Sequence, residues 1–209
     1  LKNLNLLITC KILINMCGIA GILSFRQSTF NNSEIISKMT DSISHRGPDN
    51  SNIYYDKYKG IYLGHTRLSI IDLSPNGLQP MESYDKRYII IFNGEIYNHL
   101  QLRDQIDKYL LSINKFIRWK GHSDTETLVN YFEVFGIQKT LETIEGMFSI
   151  ALWDKRSEDL YLIRDIFGEK PLYYGWVNND FIFGSELKTL KSHPLFNNDI
   201  DNNAKSLYL

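Results

Sequence analysis

The segment Met16-Cys17-Gly18-Ile19-Ala20-Gly21-Ile22-Leu23-Ser24-Phe25 constrains how the rest of the chain is arranged. Residues 18–25 form a short apolar run with two glycines, a composition that indicates a buried β-strand. A buried strand must be covered by other elements. The remainder of the sequence shows which elements are available for this.

Helices and strands are both predicted in the first half of the chain. Apolar residues at helical spacing predict a helix over residues 33–44, which the sequence His45-Arg46-Gly47-Pro48-Asp49 ends. Strands are predicted over residues 61–67 and 88–92. The second of these strands is followed by Asn93-Gly94, a strong turn signal.

Two more helices are predicted farther along the chain. The first covers residues 101–110. The second begins at Ser123, where Ser123-Asp124-Thr125-Glu126 is interpreted as a capping box in which Ser123 accepts a hydrogen bond and Glu126 reaches back. The apolar face of this helix comprises Leu128, Val129, Phe132 and Phe135.

The second half of the sequence is dominated by predicted hairpins, with strands over residues 148–153, 160–164, 172–176 and 181–184. Polar turns connect them. Strands in excess, with two or three helices as cover, fit antiparallel sheets packed face to face with helices outside. A parallel doubly wound fold is excluded, because too little helix separates the strands of the second half.

Composition excludes several functional classes. The 209 residues are enough for one domain, and the formal net charge of −1 offers no electrostatic basis for binding nucleic acid or an anionic membrane. Cys10 and Cys17 are spaced neither as a redox pair nor as a metal clip, and the five histidines follow no zinc pattern. We expect a cytoplasmic protein without a metal site.

Residues 1–16 form a distinct N-terminal segment rich in Leu, Ile and Asn. A signal peptide is disfavoured because Lys11 interrupts the apolar run and no small-residue cleavage site follows. A lipoprotein signal is disfavoured because Met16 is too bulky to precede a lipidated cysteine. We expect an upstream extension or a processed segment, with Met16 as the true start.

Cys17 is the candidate nucleophile. A cysteine beside an apolar strand is usually a small hydrophobic residue. If Met16 is removed, however, Cys17 carries a free α-amine, whose pKa of about 7.7–8.0 lets it accept the thiol proton near neutral pH. This is the thiol form of a nucleophile activated by its own N-terminal amine. Such chemistry requires cleavage after Met16.

Short motifs that run through the whole chain support this interpretation. They are residues 16–21 (MCGIAG), 45–49 (HRGPD), 64–73 (GHTRLSIIDL), 92–98 (FNGEIYN), 123–126 (SDTE), 146–154 (GMFSIALWD) and 164–174 (RDIFGEKPLYY). Together they resemble the glutaminase domain of the class II, N-terminal-nucleophile amidotransferases over nearly all of residues 17–209. The resemblance implies an α+β fold, a four-layer αββα sandwich of two antiparallel sheets.

The branch of the family is indicated by two of these motifs. Residues 67–70 (RLSI) and 93–98 (NGEIYN) look like those of glutamine-hydrolysing asparagine synthetases. Residues 119–124 (WKGHSD) and 184–188 (GSELK) are also similar to synthetase-like proteins of surface-polysaccharide pathways. The acceptor of the amide nitrogen therefore stays open between aspartate and a sugar acid.

The resemblance implies a role for each matching residue. Catalysis is assigned to Cys17, with the Asn93 side chain and the Gly94 N–H as the oxyanion hole. The glutamine-binding set is Arg67 for the carboxylate, Asp124 with Glu95 for the ammonium, and Leu68, Ile70 and Asn93. His45, Arg46 and Asp49 are interpreted as structural residues that brace the glutamine loop.

Two departures from the family pattern limit these expectations. Ile166 stands where the family often has a second arginine, which puts a surface ion pair in doubt. The Ser-Gly-Gly-x-Asp-Ser pyrophosphate loop of the synthetase half does not occur in the 209 residues. We therefore expect the glutaminase domain to span residues 17–190, and residues 191–209 to begin a connection to a synthetase domain.

The expected partners follow from this division. They are glutamine and a covalently linked synthetase domain, with neither nucleic acid nor membrane, and a homodimer is left open. No cofactor is expected in this chain, whereas ATP and magnesium are expected for the synthetase domain. Two alternatives remain: a glutaminase that supplies a sugar-acid amidotransferase, and an inactive pseudo-glutaminase scaffold.

Overall fold

The computed structural model describes residues 16–25, 30–69, 74–199 and 205–207. Nine strands and four α-helices follow one another along these parts of the chain. They are β1 (Gly18–Ser24), α1 (Asn32–Asp41), β2 (Asn50–Asp56), β3 (Ile61–Arg67), β4 (Met81–Glu82), β5 (Tyr88–Ile96), α2 (His99–Ser112), α3 (Asp124–Thr143), β6 (Gly146–Asp154), β7 (Asp159–Arg164), β8 (Tyr173–Val177), β9 (Asp180–Gly184) and α4 (Leu187–Lys191).

The strands form two antiparallel sheets. The five-stranded sheet has the order β2-β3-β1-β9-β8, and the four-stranded sheet has the order β4-β5-β6-β7. The predicted buried strand, β1, lies at the centre of the larger sheet, paired with β3 on one side and β9 on the other. The smaller sheet is built around the long pairing of β5 with β6.

Three apolar clusters join the layers. One lies between the two sheets and consists of Ile19, Ile61, Leu63, Ile89, Ile91, Ala151, Trp153 and Phe183. A second packs the outer face of the larger sheet against α1 and α4. A third packs the outer face of the smaller sheet against α2 and α3. The predicted αββα sandwich is therefore confirmed.

Strand alternation directs the candidate site residues to one end of the space between the sheets. Side chains two residues apart in a strand share a face. Ile91 belongs to the cluster between the sheets, so Asn93, two residues farther along β5, faces the same space. Cys17 immediately precedes β1 and is two residues from Ile19 of the same cluster. Arg67 lies at the end of β3, whose Thr66 pairs with Gly18.

The predicted turn at Asn93-Gly94 is wrong, because β5 continues through both residues to Ile96. Gly94 is required there for a different reason. A Cβ atom on Gly94 would collide with the Met147 carbonyl oxygen and lie 2.8 Å from the Phe148 Cα on the neighbouring strand. The glycine thus permits close approach of two strands.

Of the two hydrogen bonds predicted for the capping box at α3, one is present in the described part of the chain and the other is not. The Ser123 hydroxyl accepts a hydrogen bond from the Glu126 N–H at 3.2 Å, as predicted. The Glu126 carboxylate accepts instead from the N–H groups of Lys120 and Gly121, at 2.8 and 3.0 Å. It therefore holds the segment before the helix. Among the described residues, no helix is both long and apolar enough to cross a membrane.

We expect Gly94→Ala to destabilise the fold by about 1–3 kcal/mol, since the added methyl group meets backbone that cannot swing away. The matched control is Gly175→Ala in β8, where a Cβ atom meets nothing within 4 Å. Urea unfolding of both variants measures the difference. Equal midpoints for the two variants would contradict the close-approach explanation.

Candidate active site

The Cys17 thiol lies against the chain segment that follows β3. Its Sγ is 3.6 Å from the Leu68 carbonyl oxygen, to which it donates, and 3.4 Å from the Leu68 nitrogen, which donates to it. Burial raises the pKa of the Cys17 thiol, and the charge of Asp124 adds to this, while Arg67 and Arg46 oppose it. A buried, protonated thiol needs a base before it can act as a nucleophile.

The segment between α1 and β2 holds this arrangement in place. Arg46 donates from Nε to the Cys17 carbonyl oxygen and from Nη1 to Glu186 Oε1, both at 3.0 Å. Asp49 Oδ2 accepts from the Ser69 N–H at 2.7 Å. Arg46 and Asp49 thus contact the segments that carry Cys17 and Ser69. The structural role of His45, Arg46 and Asp49 stays a prediction.

Arg67 is a buried cation at the end of β3. Its Nη1 donates to the Ser74 carbonyl oxygen at 2.9 Å, so the guanidinium joins the end of β3 to Ser74. The charge of Arg67 lowers the pKa of the Cys17 thiol, which puts the two groups in the same electrostatic environment. Ile70, the other loop residue assigned to glutamine, lies outside the described residues.

Asn93 carries a buried amide with an unused donor. The residue is 1% exposed, and its Nδ2 has no hydrogen-bond partner within the described structure. Ser149 lies directly opposite on β6, and its buried Oγ is likewise without a partner. Leaving buried polar atoms unpaired costs stability, so such atoms are typical of sites that a ligand completes.

Asp124 is a buried carboxylate at the start of α3 and is 5% exposed. Its Oδ2 accepts from the Ile96 N–H at 3.0 Å and its Oδ1 from the Thr125 N–H at 2.8 Å. Burial raises the pKa of Asp124 despite these bonds, and nearby Glu95 raises it further. A bound cation would relieve both effects.

The charges of Arg67 and Asp124 act on the pKa of the Cys17 thiol in opposite directions, Asp124 raising it and Arg67 lowering it. Asn93 faces the space between the sheets, and Glu95 follows two residues later on β5 with its side chain exposed. Within the described ranges, no group of three or more His, Cys, Asp or Glu side chains could hold a metal ion.

Two residues at the site were not anticipated from the sequence. His99 begins α2 near Asp124 and has a buried Nδ1 without a partner; burial lowers the pKa of His99 while Asp124 raises it. Lys170 is 6% exposed, and its Nζ lies 3.1 Å from the Met16 Sδ. Lys170 belongs to the motif at 164–174, but only tertiary contacts reveal its position beside residue 16.

Comparison with known proteins assigns the chain to a family. Residues 16–209 match the family model described as a glutamine amidotransferase domain. The chain is 40% identical over 184 residues to asparagine synthetase [glutamine-hydrolyzing] 2 of Bacillus subtilis, covering 86% of this chain and 23% of that protein. It is 35% identical over 211 residues to a putative asparagine synthetase [glutamine-hydrolyzing] 2 of Methanocaldococcus jannaschii, covering 92% and 39%.

Solved structures agree on the fold. The glutamine phosphoribosylpyrophosphate amidotransferase of B. subtilis superimposes with a TM-score of 0.65 at 18% identity, covering 84% of this chain and 43% of that one. The chain thus spans well under half the length of the relatives described here. From the family match and the identities together, the chain belongs to the glutamine amidotransferase domain family, and its curated relatives are named as glutamine-hydrolysing asparagine synthetases.

Proposed function

We propose that this chain hydrolyses glutamine to glutamate and ammonia through Cys17, once Met16 has been removed. The observation that carries the proposal is the Asn93 amide, buried and without a partner within the described structure, in the space between the sheets that β1, the strand after Cys17, also lines. A donor left unpaired beside a nucleophile is suited to a negative charge that develops only during reaction.

The chemistry proceeds in two stages. The α-amine of mature Cys17 takes the thiol proton, and the thiolate attacks the side-chain amide carbon of glutamine. The oxyanion of the tetrahedral intermediate accepts hydrogen bonds from Asn93 Nδ2 and the Gly94 N–H. The protonated amine then donates to the departing nitrogen, which leaves ammonia and a thioester on Cys17. Water hydrolyses the thioester to glutamate and restores the thiol.

Charged side chains are proposed to bind the α-carboxylate and the α-ammonium of glutamine, each through the opposite charge. The Arg67 guanidinium offers a planar fork for the α-carboxylate. Asp124 and Glu95 carry the negative charge for the α-ammonium. Burial raises the pKa of Asp124, and a bound cation would oppose that shift. Leu68 and Ile70 are assigned to the walls of the glutamine site.

The ammonia is proposed to serve ATP- and magnesium-dependent synthesis of asparagine from aspartate by a covalently linked synthetase domain in the cytoplasm. The names of the curated relatives support aspartate as the acceptor, rather than a sugar acid. Their greater length supports a linked domain. The presence of Cys17, Arg67, Asn93 and Asp124 together supports an enzyme rather than an inactive scaffold.

We expect the chain expressed from Met16 to have a mature mass that begins at Cys17 and to release glutamate from glutamine. A peptide bond on the amine removes its basicity, so the 209-residue chain with residues 1–16 attached should be at least about 10²-fold slower. Intact mass and a coupled glutamate assay test both forms, with Cys17→Ala as the control. Full activity with an uncleaved N-terminus would overturn the free-amine mechanism.

We expect Asp124→Asn to raise the KM for glutamine by about 10²-fold or more, because the substrate ammonium loses its buried counter-charge. In the unmodified protein, glutamine affinity should fall as pH drops through the raised pKa of Asp124, since protonation removes the same charge. The KM measured against pH tests both expectations.

The control for this substitution is Asp104→Asn, at an exposed i,i+4 pair with Lys108. Asp124→Asn also loses one of two backbone hydrogen bonds, at a cost to stability of about 1 kcal/mol. A lower unfolding midpoint with an unchanged KM would show that Asp124 only caps α3.

A further inference from the structure

Lys170 is held by a loop with little backbone freedom. Asp165 Oδ1 accepts from the Glu169 N–H at 2.8 Å, and Asp165 Oδ2 accepts from the Lys170 N–H at 3.0 Å. Arg164 donates to the carbonyl oxygens of Gly168 and Lys170, at 2.6 and 2.7 Å. The backbone of Lys170 is thus fixed by hydrogen bonds on both its N–H and its carbonyl group.

The Lys170 side chain is a buried cation without an anionic partner. Its Nζ contacts the Met16 Sδ at 3.1 Å, and within the described residues it forms no ion pair. A thioether is a weak acceptor, so this contact does little to offset the loss of hydration. That burial belongs to the chain with Met16 in place, and removal of Met16 takes away the atom that the Lys170 ammonium contacts.

The charges around Lys170 come from several elements. Burial lowers the pKa of Lys170, and the Arg46 cation lowers it further. Glu169 and Asp165 of its own loop, and Glu95 of β5, raise it without forming an ion pair. Arg46 also donates to the Cys17 carbonyl oxygen, so the cation that lowers the pKa of Lys170 is in direct contact with the residue that carries the nucleophile.

Charged groups on other elements also change the pKa of the Cys17 thiol. Asp124 of α3 raises the pKa of the thiol, while Arg67 of β3 and Arg46 lower it. When Met16 is removed, the new α-amine lies at the nitrogen of Cys17. Covalent geometry puts that nitrogen no more than roughly 6 Å from the former Met16 Sδ, the atom that Lys170 contacts.

We propose that the Lys170 ammonium keeps the α-amine of mature Cys17 unprotonated at neutral pH, in the form that accepts the thiol proton. A cation beside an amine disfavours the ammonium form. Lys170 therefore does not touch the substrate. Its charge acts on catalysis through the protonation state of the Cys17 α-amine. The inference rests on the proposed function, in which that amine is the base.

The test compares Lys170→Met, which keeps bulk and removes charge, with Lys170→Arg, which keeps charge. Lys191→Met at an exposed site is the control. The acidic limb of kcat/KM for glutamine should move to higher pH by about 0.5–1 unit in Lys170→Met, with the rate recovered at alkaline pH. In Lys170→Arg and Lys191→Met, the acidic limb of the kcat/KM profile should stay at the pH found for the unmodified protein.

A second readout does not need turnover. The pH profile of the rate at which iodoacetamide alkylates Cys17 should move to higher pH in Lys170→Met. The reason is that a nearby cation lowers the pKa of a thiol and of an amine alike. If the unmodified protein hydrolyses no glutamine, the proposed function fails, and the alkylation profile still decides the role of Lys170. Intact mass confirms that Met16 has been removed, and thermal unfolding confirms the fold.

Two outcomes would overturn the inference. One is an unshifted pH profile in both assays for Lys170→Met. The other is a loss of rate that is equal at every pH and is not rescued by Lys170→Arg, which would show a purely structural role for the loop. If Lys170→Met does not fold, Lys170→Gln, also neutral, takes its place in the same comparison.

Discussion

The central position of β1 is the constraint on which the other features depend. The strand is hydrogen-bonded on both edges, to β3 and to β9, and it faces α1 on one side and the second sheet on the other. Gly21 allows this, because a Cβ atom there would collide with the ring of Phe183 on β9. A strand fixed on all sides fixes Cys17, the residue immediately before it, relative to every other layer.

The sequence predicted the layers better than the details that depend on neighbouring strands. Apolar patterning predicted facing antiparallel sheets with helices outside, and the family resemblance implied the four αββα layers. Asn93-Gly94 has turn propensity but lies in a strand, because β6 pairs alongside. The strand Asn50–Asp56 was missed because it is polar and largely exposed. Glu126 and Lys170 were misjudged or overlooked because their partners are set by tertiary packing.

In the candidate site, burial disfavours the charged forms of the ionisable side chains. Burial raises the pKa of both Cys17 and Asp124 and lowers that of Lys170, and the Asn93 amide has no partner. Each of these costs stability in the free protein. In the proposed complex with glutamine, the ligand ammonium would offset the burial of Asp124, and the oxyanion would accept from Asn93.

The pairing of β1 with β9 also has a consequence for biosynthesis. In a chain begun at Met16, the methionine side chain contacts Lys170, so part of the residue to be removed is enclosed by the finished domain. β9 is synthesised roughly 160 residues after β1, which at ribosomal rates takes on the order of ten seconds or more. For such a chain we expect removal of Met16 to be easiest during synthesis, before the loop of Lys170 and the last strands have emerged.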